Sequence, residues 1–247
     1  MELLPQLPGK SIDFIFTDPP YGHNNNDGDL IHNWEAALGR PKTVSSEARP
    51  IANDSPEDAK RVVLGMFSHL KRLLRPGCCC CCCCGGGPDP QFARWTMWLD
   101  EHLGFKQAVV WDKGGLGMGW HYRRNYEFVL VGQQQGTCKW FGGNAVANVV
   151  QINKIIPGAR NHPTEKPTAL PEFFIKLHSE AGDLVLDPFA GHGSSLVAAK
   201  KLRRHYLGFE LSTEYCERSR KSLDIAEAEA PLFQKEKIEQ PRMDFSV

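Results

Sequence analysis

Asp18-Pro19-Pro20-Tyr21 follows directly on the apolar run from Ile12 to Thr17. A carboxylate, a rigid main-chain carbonyl and an aromatic ring therefore share one tight turn at the end of a strand. Such a corner can grip a planar heterocycle that carries an exocyclic amine. The ring stacks on Tyr21, while Asp18 and the Pro19 carbonyl accept the two N–H hydrogens. Taken alone, the tetrapeptide also fits a plain Pro-Pro turn after a strand.

A second chemical signal lies 169 residues downstream, where Asp187-Pro188-Phe189-Ala190-Gly191-His192-Gly193-Ser194-Ser195 follows the apolar Leu184-Val185-Leu186. This reads as strand, glycine turn and helix. The first glycine permits the sharp turn, and the second lets a ligand approach the main chain without meeting a Cβ. Free N–H groups at the helix start, with the Ser194 and Ser195 hydroxyls, suit a carboxylate or phosphate. A further strand, His205 to Phe209, ends in Glu210, 17 residues after Gly193, where an acid can accept both hydroxyl hydrogens of a ribose. Leu196 stands where a full dinucleotide fingerprint has its third glycine, so the pattern also fits an ordinary βαβ turn.

Three motifs in order, Asp18-Pro19-Pro20-Tyr21, His162-Pro163-Thr164-Glu165-Lys166-Pro167 and Asp187 to Gly193, closely resemble the amino-methylating DNA methyltransferases. The resemblance covers roughly residues 10 to 225. With the catalytic tetrapeptide first and the glycines last, the order looks like the family's beta-type permutation. It implies transfer of a methyl from S-adenosylmethionine to adenine N6 or cytosine N4 of a base flipped out of double-stranded DNA. Asp18 at the head of the tetrapeptide leans the expectation toward adenine. Asp18, Pro19, Pro20 and Tyr21 become the catalytic set, acting by positioning and electrostatics.

By position, Asp187, Phe189, Gly191 and Gly193 line the cofactor, with Glu210 on its ribose. Ser194, Ser195 and Lys166 address its methionine carboxylate. His162 and Thr164 either join them or hold the Pro-rich turn. His192 is expected on the exposed turn, and a sulfonium donor needs no metal. DNA contacts are expected from Arg123, Arg124, Lys139, Trp140, Lys154 and Arg160, and from segments about 22–55 (with Trp34) and 133–160. So short a recognition region implies either a short target or a homodimer. Relatives of this motif order also carry a strand and an acid for the cofactor adenine ahead of the catalytic strand. Here residues 1–7 read as the turn or helix after that strand.

The elements that must position these residues are those of a single α/β domain spanning residues 1–247. We expect a Rossmann-like, doubly wound, mostly parallel sheet with an antiparallel edge hairpin, the class I methyltransferase fold in permuted order. Apolar residues at 41% suffice for a core, and Lys+Arg balance Asp+Glu at 29 each, so any grip on DNA is local rather than a global field. No apolar run reaches membrane-spanning length and no signal pattern opens the chain, which predicts a soluble cytoplasmic protein without membrane partners.

Ser55-Pro56-Glu57-Asp58 predicts a helix start, with the helix running to about Leu74. Further helices are expected over 91–103 and 170–179, and an antiparallel pair over 105–112 and 126–132. Seven of nine cysteines form one run, Cys78 to Cys84. Successive strand residues point to opposite faces, so the run cannot gather four thiolates on one ion. It reads as a buried central strand of small hydrophobes.

Three other functions share part of this pattern. A nicotinamide dehydrogenase uses the glycine turn and ribose acid but leaves Asp18 to Tyr21 idle. Methyltransferases acting on protein glutamine or RNA usually have an Asn-headed tetrapeptide after the glycines, the opposite order. A DNA-binding relic binds duplex and transfers nothing.

Overall fold

The computed structural model of the chain describes residues 2–22, 52–85, 91–115, 123–155 and 166–228. Seven strands make one sheet: β1 (Ile12–Thr17), β2 (Leu74–Cys84), β3 (Phe105–Asp112), β4 (Tyr126–Gln133), β5 (Val149–Gln151), β6 (Leu184–Asp187) and β7 (His205–Gly208). Their order is β5-β3-β4-β2-β1-β6-β7. β4 runs antiparallel to both β2 and β3, and every other pairing is parallel. Five helices, α1 (Pro56–Leu73), α2 (Gln91–His102), α3 (Ala169–His178), α4 (Ser194–Lys201) and α5 (Thr213–Ala228), complete the fold with a 3-10 turn at Leu4–Gln6.

The cysteine run forms most of β2 at the centre of the sheet, and all seven thiols are buried and unpaired. Strand alternation sends Cys78, Cys80, Cys82 and Cys84 into one core with Met66, Phe67 and Leu70 of α1 and Trp95 and Leu99 of α2. Cys79, Cys81 and Cys83 enter the opposite core with Phe174 of α3 and Ala198 of α4. Burial pushes these thiols up, that of Cys84 to about 12, so they are poor nucleophiles and poor metal ligands. No metal-holding group occurs among the described residues, nor any helix long and apolar enough to cross a membrane.

Local signals explain the helices. Ser55 caps α1, its hydroxyl accepting from the Asp58 N–H at 3.1 Å, with Pro56 at the first position and Lys71 and Arg72 in the last turn. One departure from expectation is β5. Residues 149–151 extend β3 as a parallel neighbour, so the antiparallel pair lies one strand in from that side of the sheet. Three residues give a sequence pattern too little length to register a period.

Parallel β1, β2, β6 and β7 end on the same side, which gathers their C-terminal turns. Phe14 pairs with Val185 and Ile15 with Leu186, so Asp18 and Pro188 emerge as neighbours. The two corners separated in the chain therefore open on one end of the sheet, the usual ligand side of such folds.

Candidate active site

A direct bond joins the two corners. The Thr17 hydroxyl donates to Asp187 Oδ1 at 2.9 Å, and the Phe189 N–H reaches the same oxygen at 3.0 Å. Ser195 donates to Asp187 Oδ2. Burial pushes the Asp187 carboxyl up to about 6 against the pull of these donors, so it serves as a buried brace for the turn. Ser195 is itself buried and spent on this brace, away from the anion-binding role expected of it.

The two glycines exchange their expected parts. Gly193 has φ of 81°, and a Cβ built on it would meet the Ser219 hydroxyl at 2.1 Å. Its bareness therefore admits α5. Gly191, at φ of 51°, faces open space, with nothing within 4 Å of an added Cβ. The approachable main chain is at Gly191. Glu210 borders that opening: its Oε2 accepts from the Gly191 N–H at 2.9 Å and its Oε1 from the Ser212 N–H at 2.8 Å. His192 lies against Tyr215, with ring centroids 4.6 Å apart.

Across the opening, the corner after β1 is tied into a charged cluster. Tyr21 Oη donates to Asp18 Oδ1 at 2.5 Å. Lys166 Nζ sits 2.9 Å from Asp18 Oδ2, 3.1 Å from Glu127 Oε2 and 3.2 Å from Tyr21 Oη. Lys113 holds the other Glu127 oxygen at 3.1 Å. Burial alone would lift the Glu127 carboxyl, but the two ammoniums outweigh it and hold it at about 2. Burial would depress Lys166, and Asp18 with Glu127 reverses that, so the ammonium stays charged. Burial, then Asp18 and Glu127, push the Tyr21 phenol well up.

The Tyr21 ring lies on the main chain of Gly85, where an added Cβ would come within 2.2 Å of it, and meets Trp95 edge-on at 6.0 Å. Gly22 anchors the turn from behind, its N–H donating to buried Asp54 at 2.8 Å.

Set against expectation, the structure brings Asp18, Pro19, Pro20, Tyr21, Asp187, Phe189, Gly191 and Glu210 to one end of the sheet. Lys166 joins them, with its ammonium on Asp18 and Glu127 rather than at the glycine turn. His162, Thr164, Arg160 and most of the 22–55 segment, Trp34 included, lie outside the described residues. Arg123 and Arg124 precede β4 and Lys154 follows β5, all on the Asp18 side.

Lys139 and Trp140 do not lie there. Lys139 bonds Asp183 at 2.6 Å and stands 3.9 Å from Asp13, at the starts of β6 and β1. Five residue steps along the strand take Asp13 to Asp18, about 16 Å. Trp140 donates to the Gly143 carbonyl at 2.7 Å and meets His178 edge-on. Their contacts brace the far end of the sheet, because Asp13 and Asp183, both buried, need a counter-charge there.

Glu127 and Lys113 carry no motif. The legible signal for Glu127 is its place on β4: period-2 alternation puts it on the same inward face as Val129 and Val131.

With this geometry in hand, comparison with known proteins is informative. The N6/N4 DNA methylase family model matches residues 134–221. The DNA adenine methyltransferase YhdJ of Escherichia coli (strain K12) is 24% identical over 90% of this chain and 80% of its own length. Over most of its length the chain is similar to an amino DNA methyltransferase. Its methyltransferase fold is seen again in the cytosine-N4-specific PvuII DNA methyltransferase, at a TM-score of 0.68 and 19% identity over 91% of this chain and 88% of that one. It is seen also in the M1.HpyAVI–SAM complex, at 0.64 and 22% over 90% and 95%. The chain thus carries its tetrapeptide before the family-model match and its glycine turn within it.

Proposed function

We propose that the chain methylates the exocyclic amine of a base flipped out of duplex DNA, adenine N6 in the first instance, with S-adenosylmethionine as donor. One observation carries this reading: the Thr17–Asp187 bond sets the Asp18 carboxylate beside the open glycine turn, so amine and donor can share one hollow. The donor's fit is supported by the free space over Gly191 and by Glu210 at its border, an acid placed for ribose hydroxyls. The complexed neighbour, which names SAM, supports the same choice.

When bound, S-adenosylmethionine supplies an electrophilic methyl: the amine lone pair forms the N–C bond as the C–S pair returns to sulfur. The lone pair of such an amine is delocalised into its ring. Asp18 and the Pro19 carbonyl, accepting its two hydrogens, favour a pyramidal nitrogen with that pair directed outward. The nitrogen gains positive charge, which the Asp18 carboxylate offsets. One N–H proton then passes to Asp18 or to water. Eversion of the base costs a few kcal/mol, and stacking on Tyr21, about 1–3 kcal/mol, offsets part of it once the ring presents a face.

Adenine is favoured by Asp18 at the head of the tetrapeptide and by the adenine activity named for the E. coli relative. The fold likeness to a cytosine-N4-specific enzyme favours the second reading, N4 methylation. Incubation of unmethylated DNA with labelled donor, then nucleoside mass spectrometry, separates the two. N6-methyladenine is the expected product, N4-methylcytosine supports the second reading, and neither product overturns both.

A further inference from the structure

We infer that Glu127 is a positioning residue: it draws the Lys166 ammonium off Asp18 when the target amine arrives, so that Asp18 is masked at rest and bared by substrate. The inference rests on the reading of Asp18 as the amine's acceptor.

Both oxygens of Asp18 are already occupied. Tyr21 Oη donates to Oδ1 at 2.5 Å, and Lys166 Nζ lies 2.9 Å from Oδ2. Each oxygen keeps a second lone pair, but an N–H that binds beside these donors meets a carboxylate whose charge the ammonium already neutralises. The Tyr21 hydroxyl is neutral and has a second acceptor in Glu127 Oε2 at 3.3 Å. Lys166 is the donor that carries charge. An ammonium has three N–H donors, and here three acceptors meet it: Asp18, Glu127 at 3.1 Å and Tyr21 at 3.2 Å. Giving up Asp18 breaks one contact of three and leaves the ammonium paired.

Charge argues in the same direction. Asp18, Glu127, Lys166 and Lys113 sum to zero, and three of the four side chains are less than a fifth exposed. An ammonium resting on Asp18 cancels the carboxylate's field where the attacked nitrogen turns positive. Shifted toward Glu127, it leaves that field intact. With Glu127 uncharged, Asp18 is the one carboxylate paired with the buried ammonium among the described residues, and separating the two leaves both without that partner.

The test uses the full chain with the methylated site first mapped on the parent. Affinity is measured without donor for a duplex carrying the target base and for the same duplex abasic there, and their ratio is compared within each variant. General phosphate attraction cancels in that ratio. Glu127→Gln is expected to lower it about tenfold, to lower kcat more than it changes KM, and to leave abasic binding in place. Lys166→Gln is expected to raise the ratio about threefold or more, and the double variant to match Lys166→Gln rather than Glu127→Gln.

A Glu127→Gln ratio equal to the parent's, or a double variant as poor as Glu127→Gln, overturns the inference. Where Glu127→Gln does not fold, Lys166→Gln decides alone, and a ratio that fails to rise overturns it. Asp18→Asn keeps the underlying reading separable. If it methylates like the parent, the acceptor assignment itself fails; if it is inactive while Glu127→Gln matches the parent, only the role of Glu127 fails.

Discussion

Thr17 and Asp187, 170 residues apart, meet in a buried 2.9 Å hydrogen bond at the adjoining ends of β1 and β6. It fixes the distance between the corner that carries Asp18 and the turn that carries Gly191. Chain order conceals this meeting, and parallel register enforces it, because Ile15 pairs with Leu186.

Removing that hydroxyl tests the brace. Thr17→Val keeps the shape and leaves one buried carboxylate oxygen short of a donor, which costs about 1–3 kcal/mol. A lower urea midpoint with an unchanged m-value is expected. An unchanged midpoint contradicts the bracing role.

Gly193 is required by packing rather than by ligand. Gly193→Ala adds a Cβ at φ of 81° and 2.1 Å from the Ser219 hydroxyl, a cost of about 2 kcal/mol or more. Ser219→Gly in the same chain should recover part of that loss in thermal unfolding. Loss of donor affinity without loss of stability would show instead that Gly193 faces the ligand.

The Glu127 carboxyl sets a pH dependence. Burial lifts it and the Lys166 and Lys113 ammoniums pull it down further, to about 2 against an ordinary 4.5. A depressed acid stabilises the folded chain above its unfolded value and loses that contribution as pH falls through the folded one. Urea midpoints of the parent should therefore fall more steeply between pH 4.5 and pH 2 than those of Glu127→Gln. Parallel profiles would contradict the ion-pair cluster.

Two basic groups that look alike in sequence should behave differently. Arg123→Glu with Arg124→Glu, on the Asp18 side, should weaken duplex binding and reduce its salt slope by up to about 2. Lys139→Gln should leave duplex affinity unchanged and lower stability by about 1–3 kcal/mol, since it removes the ammonium at 2.6 Å from buried Asp183, while Asp13 keeps Arg75 at 2.8 Å. A duplex defect in Lys139→Gln would return that residue to the interface.

These contrasts show what was legible in the residues. The cysteine run announces β2 because seven successive small hydrophobes fit only a strand covered on both faces, as the division between two cores bears out. Ser55 and Pro56 announce α1 through local bonding that needs no tertiary partner. Lys139 misleads because its partners are distant in sequence, and a charge near a recognition region looks the same whether it faces DNA or a buried aspartate. Lys166 misleads differently: its motif places it near the site, while its partner is set by Glu127, a residue without a motif. Gly191 and Gly193 share a residue type, and only the packing of α5 separates their duties.

The central claim is that Asp18 receives the target amine beside a donor held at the glycine turn. Its most direct test is methyl transfer by Asp18→Asn, an isosteric change, against the parent on the same unmethylated DNA, with donor affinity measured by calorimetry on both. The account predicts a methylated base from the parent, none from Asp18→Asn, and donor affinity alike in the two. Undiminished transfer by Asp18→Asn would contradict it.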